Sequence, residues 1–355
     1  MPDRPMPVFD GHNDLLLRLR AHDGDTVRAF LDGGAGGHLD VPRAAAGGFA
    51  GGLFAAFVPS HDPRAAAPED ALMRAPAYDV PLPPPLDPDT ARDEALAMFA
   101  LLRDAATASA GAVRVCATAA DVRACRGAGT LAAVPHLEGA DGIDAGLERL
   151  DEFERAGVRS IGPVWSRPNV FGHGVPFRFP SPPDAGPGLT DAGRALVREC
   201  NRRRILVDVS HLTERGFWDV ARVSDAPLVA THSNAHALTP HARNLTDAQL
   251  EAIRGTGGIV GVNFAVSFLR EDGRIDADTP LERVVRHVEH LLAHAGEDGV
   301  GFGSDFDGAT VPDAIGDVAG LPRLVDALRA AFGDALTERI AYGNWLRVLE
   351  RTWGA

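Results

Sequence analysis

The sequence predicts an α/β fold, a (β/α)8 or TIM barrel with loop insertions, on three observations. Eight short apolar runs rich in Val, Ile and Leu recur along the 355 residues. Segments with helical spacing of apolar residues separate most of them. Polar residues of metal-binding and acid/base types stand directly after five of the eight runs. A doubly wound open sheet is the alternative arrangement of the same elements. No GxGxxG or GxxxxGK[ST] follows any run, so neither dinucleotide nor P-loop chemistry has support.

The first strand is expected at 8–10, ending in Gly11, His12, Asn13 and Asp14, with mixed helical character over 15–30. The second, at 52–58, is the apolar run GLFAAFV, and a helix over 90–110 is expected to be capped by Asp89 or Thr90. Strand three, at 130–134, is bounded by glycines and delivers Glu138 just beyond its end. A helix at 143–157 and strand four at 158–161 follow. Strands five to eight are expected at 205–209, 228–230, 259–262 and 300–303. Their helices fall at 191–203, 213–223, 246–254 and 281–295, and two more at 321–331 and 336–351 close the chain. Proline-rich stretches without periodicity interrupt the pattern at about 59–89 and 163–188, which makes residues 1–355 a single barrel domain with two irregular insertions.

With 45% hydrophobic residues the chain has material for a large core, and a net charge of −14 without any Lys/Arg block argues against nucleic acid as a partner. Cys116, Cys125 and Cys200 lack CxxC spacing and read as packing residues of a reducing compartment. No signal-peptide pattern, long apolar span or anchor tail is visible, so a cytoplasmic location and no membrane association are the expectation.

Barrels of this kind build their sites at the carboxyl ends of the strands. Strand one ends in His12 and Asp14, strand three in Glu138, strand five in Ser210 and His211, strand six in Thr231 and His232, and strand eight in Asp305 and Asp307. Residues two apart on an extended strand share a side, so His12 and Asp14 can reach one ion together. Three imidazoles with two carboxylates suit a borderline metal such as Zn2+, other divalent ions being alternatives. Five side chains are too many for one tetrahedral site with an open position. Two ions sharing Glu138 solve the count, and such a pair can hold a hydroxide between them.

DGHNDL at 10–15, HLEGAD around Glu138, VDVSHLTE around His211, ATHSNAHAL from Ala230, Arg243 with Asn244, and GFGSDFDG at 301–308 resemble the renal (membrane) dipeptidase family of dinuclear zinc peptidases. The motifs occur in family order across nearly the whole chain. The resemblance implies one zinc on His12, Asp14 and Glu138 and another on Glu138, His211 and His232. It also implies Arg243, beside Asn244, on the substrate carboxylate, and Asp305 as the catalytic acid/base. Trp165 stands where well-known members carry a substrate-binding His, with His173 in the same loop as a replacement, and Ala265 stands where they carry an aromatic hydroxyl. A bacterial-type soluble enzyme is implied, and relatives of this kind are often homodimers.

The expected activity is therefore hydrolysis of small dipeptides, L-Xaa-L-Xaa with tolerance of L-Xaa-D-Xaa, by a metal-bridging hydroxide. A dinuclear amidohydrolase acting on another small amide, lactone or ester is the alternative, motivated by Trp165 and Ala265. A non-catalytic metal-binding protein is a third reading, but no ligand is missing from the set. Among other residues, His136 is expected to line the pocket or pack, and His236 and His241 to border substrate or pack. Asp208 is expected behind the metal ligands and Asp307 in support of the last loop. His287, His290 and His294 are expected on a solvated helix face. Phe171, Phe177 and Phe179 with Arg167 and Arg178 are expected to form either a lid or a subunit contact.

Overall fold

A strand covered by helices on one side and by its neighbours' side chains on the other must be apolar on both faces, and the sequence runs satisfy this. In the computed structural model, which describes residues 5–34, 36–60, 68–182 and 184–354, all residues of Val8–Asn13 and of Leu131–Glu138 are buried. Eight parallel strands run in chain order around a cylinder: Val8–Asn13, Phe49–Phe57, Leu131–Glu138, Ser160–Gly162, Leu206–Val207, Val229–Ala230, Ile259–Asn263 and Val300–Gly303. The first pairs with the eighth through Asp10 and Phe302, and a bridge between Asp208 and Val229 joins the fifth to the sixth. The fold is a TIM barrel.

Two apolar layers hold it. One lies between the strands and the outer helices. The other fills the cylinder with Phe9, Leu53, Val134, Leu206, Val229 and Ile259, most of them near the starts of their strands. Trp345, from the helix Asn344–Trp353, is fully buried with them, and its indole donates to the carbonyl of Phe302 at 2.8 Å. The amino end of the barrel is thereby plugged. Among the described residues, the carboxyl end carries the cavity lined by Glu138, His211 and His232.

Several boundaries differ from the sequence reading. The third strand runs through Pro135 to Glu138 rather than stopping at 134, and the Pro135 carbonyl still accepts from the Arg159 amide at 3.2 Å. Glu138 thus sits on the strand itself, a more rigid mount than a loop. The helix expected from 90 starts at Pro88 and is capped by Asp87, whose carboxylate accepts from the Thr90 amide at 2.9 Å. The helix expected over 143–157 contracts to Leu150–Arg155, and the last helical stretch contains a π-turn at Arg339–Gly343. A short strand, Val113–Val115, and the helix Ala119–Ala128 were not anticipated.

The two irregular insertions meet over the open end, where Tyr78–Asp79 pairs antiparallel with Arg178–Phe179. Residues 61–67 of the first and residue 183 of the second lie outside the described residues. Among the described residues, no helix is long and apolar enough to cross a membrane.

Candidate active site

Glu138 is the centre of the open end. Its Oε1 lies 3.0 Å from His211 Nε2, 3.4 Å from His232 Nε2 and 3.6 Å from His12 Nε2. Asp14, just past the first strand, places Oδ2 at 3.3 Å from the same His12 nitrogen. Four strand ends therefore converge on one point. His12, Glu138 and His232 form one compact donor group, and His12, Asp14 and Asp305 form a second that shares the His12 ring.

The rings are aimed from behind. His211 Nδ1 hydrogen-bonds Ser166 Oγ at 2.9 Å, and His232 Nδ1 hydrogen-bonds Thr231 Oγ1 at 2.8 Å. Thr231 in turn donates its hydroxyl proton to Asp208 Oδ2 at 2.7 Å, so it accepts from His232 and leaves the Nε2 lone pair facing Glu138. A hydrogen bond to the far nitrogen is the usual device for fixing tautomer and ring angle in a metal-binding histidine. Asp208 thus stands behind His232, as the sequence suggested. Ser166 and Thr231 carry no sequence signal of this role.

The charges are out of balance. Burial pushes Glu138 up to about 8 and raises Asp305 as well. Burial opposes the His12 cation, yet Glu138 and Asp14 beside it hold the ring up to about 10. Burial, with the cations of Arg243 and His12 nearby, keeps His211 and His232 well below the ordinary histidine range. Carboxylates crowded in a dry pocket need cations. Both ring nitrogens of His12 and Oδ1 of Asp14 are buried without a hydrogen-bond partner. Imidazole and carboxylate donors left open in this way fit a divalent metal that takes nitrogen and oxygen ligands.

Asp305 and Arg243 complete the wall. Asp305 holds a left-handed backbone, φ 60°, at the end of the last strand, and its amide donates to the His12 carbonyl at 3.0 Å. Non-glycine residues rarely adopt this conformation, and where they do the surrounding structure enforces it. Arg243 is buried, donating through Nη1 to the Ser210 carbonyl and through Nη2 to the His232 carbonyl at 3.0 Å, while its Nε–H has no partner. The fork is thus preset by the backbone of the two strands that carry His211 and His232. A cavity of about 250 Å³ lies above these groups, with Phe57, Trp165, Phe177 and Phe268 among its walls.

The pattern that defines the membrane dipeptidase family, peptidase family M19, matches residues 3–353. The chain belongs to this family. It is a metallopeptidase that hydrolyses dipeptides. A metallopeptidase from Rhodobacter sphaeroides, crystallised with a phosphinate mimic of the dipeptide L-Ala-D-Ala, is 55% identical, with a TM-score of 0.96 over 98% of this chain and 100% of its own. The protein in the pqqA 5′ region of Klebsiella pneumoniae is 54% identical over 256 residues, 72% of this chain and 94% of its own. At 22% identity, the probable dipeptidase PvdM of Pseudomonas aeruginosa shares the fold, with a TM-score of 0.80 over 98% of this chain and 96% of its own.

In this dipeptidase Trp165 walls the cavity, its ring 4.7 Å from Phe57 and 5.9 Å from His211. Ala265 also lines it. Two residues expected on substrate are placed elsewhere. Asn244 is buried, donating to the Thr239 and Phe268 carbonyls at 3.0 and 2.9 Å, so its amide ties loops together, and it is not among the residues walling the cavity. His173 is not among them either; it lies between Gly172 and Gly174, whose backbones bridge to Leu189 and Leu212.

The remaining candidates resolve individually. His136 is buried, 3.7 Å from Asp208 and bonded to Ser160, and burial drives it down to about 3. His241 accepts the Arg243 amide proton at 3.0 Å and packs on Phe268, while His236 donates to the Ser181 carbonyl at 2.7 Å. Asp307 supports its loop through Arg18 at 3.0 Å and the His38 amide at 2.6 Å. Phe177 walls the cavity and Phe179 packs on Tyr78, whereas Phe171 belongs to the main core. Arg178 pairs with Asp79 at 2.8 Å, and Arg167 is buried against Asp141 at 3.1 Å. His287, expected on a solvated face, is buried, because its helix packs that side against the segment 233–246.

Proposed function

We propose that this dipeptidase uses two zinc ions held by His12, Asp14, Glu138, His211 and His232, with Glu138 shared between them. The observation that carries the reading is the convergence of three imidazole Nε2 atoms within 3.0–3.6 Å of one oxygen of Glu138. One carboxylate oxygen among three nitrogens, with Asp14 at the same His12 nitrogen and Asp305 grouped with them, supports a site for two adjacent divalent ions. When bound, such ions supply Lewis acidity toward the scissile carbonyl and make water nucleophilic at neutral pH.

The protein groups do the rest. Arg243 receives the carboxylate of the dipeptide through N–H groups that its backbone contacts leave over. Asp305 takes the proton of the attacking water and returns it to the departing amine, a role that suits a buried carboxyl whose proton affinity is raised. The aromatic wall of Phe57, Trp165, Phe177 and Phe268 bounds the cavity and favours substrates of two residues. Acceptance of a D-residue at the carboxyl side rests on the similar Rhodobacter enzyme, which was crystallised with a mimic of L-Ala-D-Ala.

The test is metal analysis joined to a panel of L-Xaa-L-Xaa and L-Xaa-D-Xaa dipeptides. Two zinc ions per chain and turnover of both series are expected. Metal-replete protein carrying one ion, or turning over neither series, overturns the reading.

A further inference from the structure

A second group of metal-type donors lies on the outer wall of the barrel. The helix Leu281–Ala295 presents His290 and His294 one turn apart, their rings stacked with centroids 4.7 Å apart. The neighbouring helix Asp247–Thr256 presents Asp247 and Glu251 with the same spacing. Asp247 faces both rings: Oδ1 is 2.7 Å from His290 Nε2, and Oδ2 is 3.6 Å from His294 Nε2. Glu251 Oε1 is 3.3 Å from the other nitrogen of His294. We propose that His290, His294 and Asp247 form a site for a borderline divalent ion of the Zn2+ class, separate from the catalytic centre.

Three features argue for a site rather than a plain ion-pair network. Two histidines four apart on one helix face are a preformed chelate, the spacing used by helical zinc sites. The Asp247 carboxylate stands across the gap, hydrogen-bonded to His290 Nε2 at 2.7 Å, and an ion that displaces the proton of that bond can be shared by all three donors, whose ligand atoms lie within 4.8 Å of one another. Glu251 accepts a hydrogen bond from Nδ1–H of His294, which turns the Nε2 lone pair toward Asp247, the same arrangement that aims His232 through Thr231. The side chains of His290 and His294 are 20% and 27% exposed, so water can enter and complete the coordination. A bound ion would clamp the helix that follows the Arg243 loop to its neighbour.

The test uses tag-free dipeptidase with its catalytic centre already loaded, titrated with Zn2+ by calorimetry. One further ion per chain is expected. His290→Gln with His294→Gln should abolish that uptake while leaving kcat/KM for a dipeptide unchanged, since neither ring reaches the cavity. Asp247→Asn, which keeps both rings, should weaken uptake at least tenfold. No additional ion in the wild type, or equal uptake in the double variant, overturns the proposal. The count is of ions beyond the loaded centre, so the outcome is independent of how the catalytic metals are assigned.

Discussion

Asn263 donates from Nδ2 to Asp305 Oδ2 at 2.9 Å, and its own Oδ1 accepts from the Ala265 amide at 2.6 Å. The end of the seventh strand thus fixes one oxygen of the carboxylate at the end of the eighth. A bond donated to the ionised form favours that form, so Asn263 counters the rise that burial imposes on Asp305. Asn263→Ala should move the acid limb of the kcat/KM profile to higher pH, because Asp305 then holds its proton longer. A loss of roughly tenfold in kcat is expected, a small part of a general acid/base contribution of about 10²- to 10⁴-fold. An unchanged pH profile would show that the bond does not tune Asp305.

Asp305 itself is the sharper test of proton transfer. Asp305→Asn keeps the shape and the Asn263 contact within reach but cannot accept a proton. A fall of roughly 10²- to 10⁴-fold in kcat is expected, with KM little changed. Metal content should be measured alongside, since Asp305 lies in the donor group with His12 and Asp14. Full metal loading with kcat within a few-fold of wild type would remove Asp305 from the mechanism.

The barrel and the centre of the site were legible in the sequence for one reason: both leave marks along the chain. Strands buried on two faces read as apolar runs, and the polar residues directly after them are already at the rim. The supporting groups leave no such mark. Ser166 and His211 meet across 45 residues, and Asn263 and Asp305 across 42. Ser, Thr and Asn at those positions look like any loop residue until tertiary structure brings them behind a ligand. The third strand's end was not legible because the apolar run 130–134 stops short of it, while pairing carries the strand on through Pro135 and His136 to Glu138. Asn244 misled through its neighbour Arg243, which shares its motif but not its direction.

Arg243 is held by two backbone carbonyls and is proposed to bind the substrate carboxylate, and the two roles can be separated. Arg243→Ala should raise KM strongly and lower kcat/KM by roughly 10- to 100-fold, the range of a lost charged hydrogen bond. Amidating the dipeptide carboxylate should cost the wild type a similar factor and the variant almost nothing more. Additive losses would mean that the guanidinium acts only by bracing the Ser210 and His232 carbonyls.

Removing the metals should destabilise the fold as well as stop turnover. Without them Glu138, Asp14 and Asp305 face one another with His12 as the nearest counter-charge. An ion present at about a thousandfold over its Kd adds about 4 kcal/mol to the folded state. Chelation should therefore lower Tm by roughly 5–10 °C, and Zn2+ should restore both Tm and activity. A Tm indifferent to chelator, with activity lost, would mean that the pocket tolerates its bare carboxylates.

His287 gives the protein an acid-sensitive support away from the metals. Its Nδ1 accepts the Ala235 amide at 3.2 Å, and its Nε2–H points at the Leu269 carbonyl at 3.2 Å. The ring is buried and neutral, bracing the segment that carries Arg243. Protonation would set a second N–H against that of Ala235, and burial pushes the ring down to about 4. An unfolded histidine titrates near 6.5, so between about 6.5 and 4 the unfolded chain binds more protons than the folded one. The contribution is fully present above about 6.5 and is lost as pH falls toward 4, amounting to about 3 kcal/mol across that window. His287→Gln can keep one acceptor and one donor but does not titrate. Urea midpoints at pH 7 and pH 5 should drop more in the wild type than in the variant, and equal drops would show that His287 is not the acid-sensitive group.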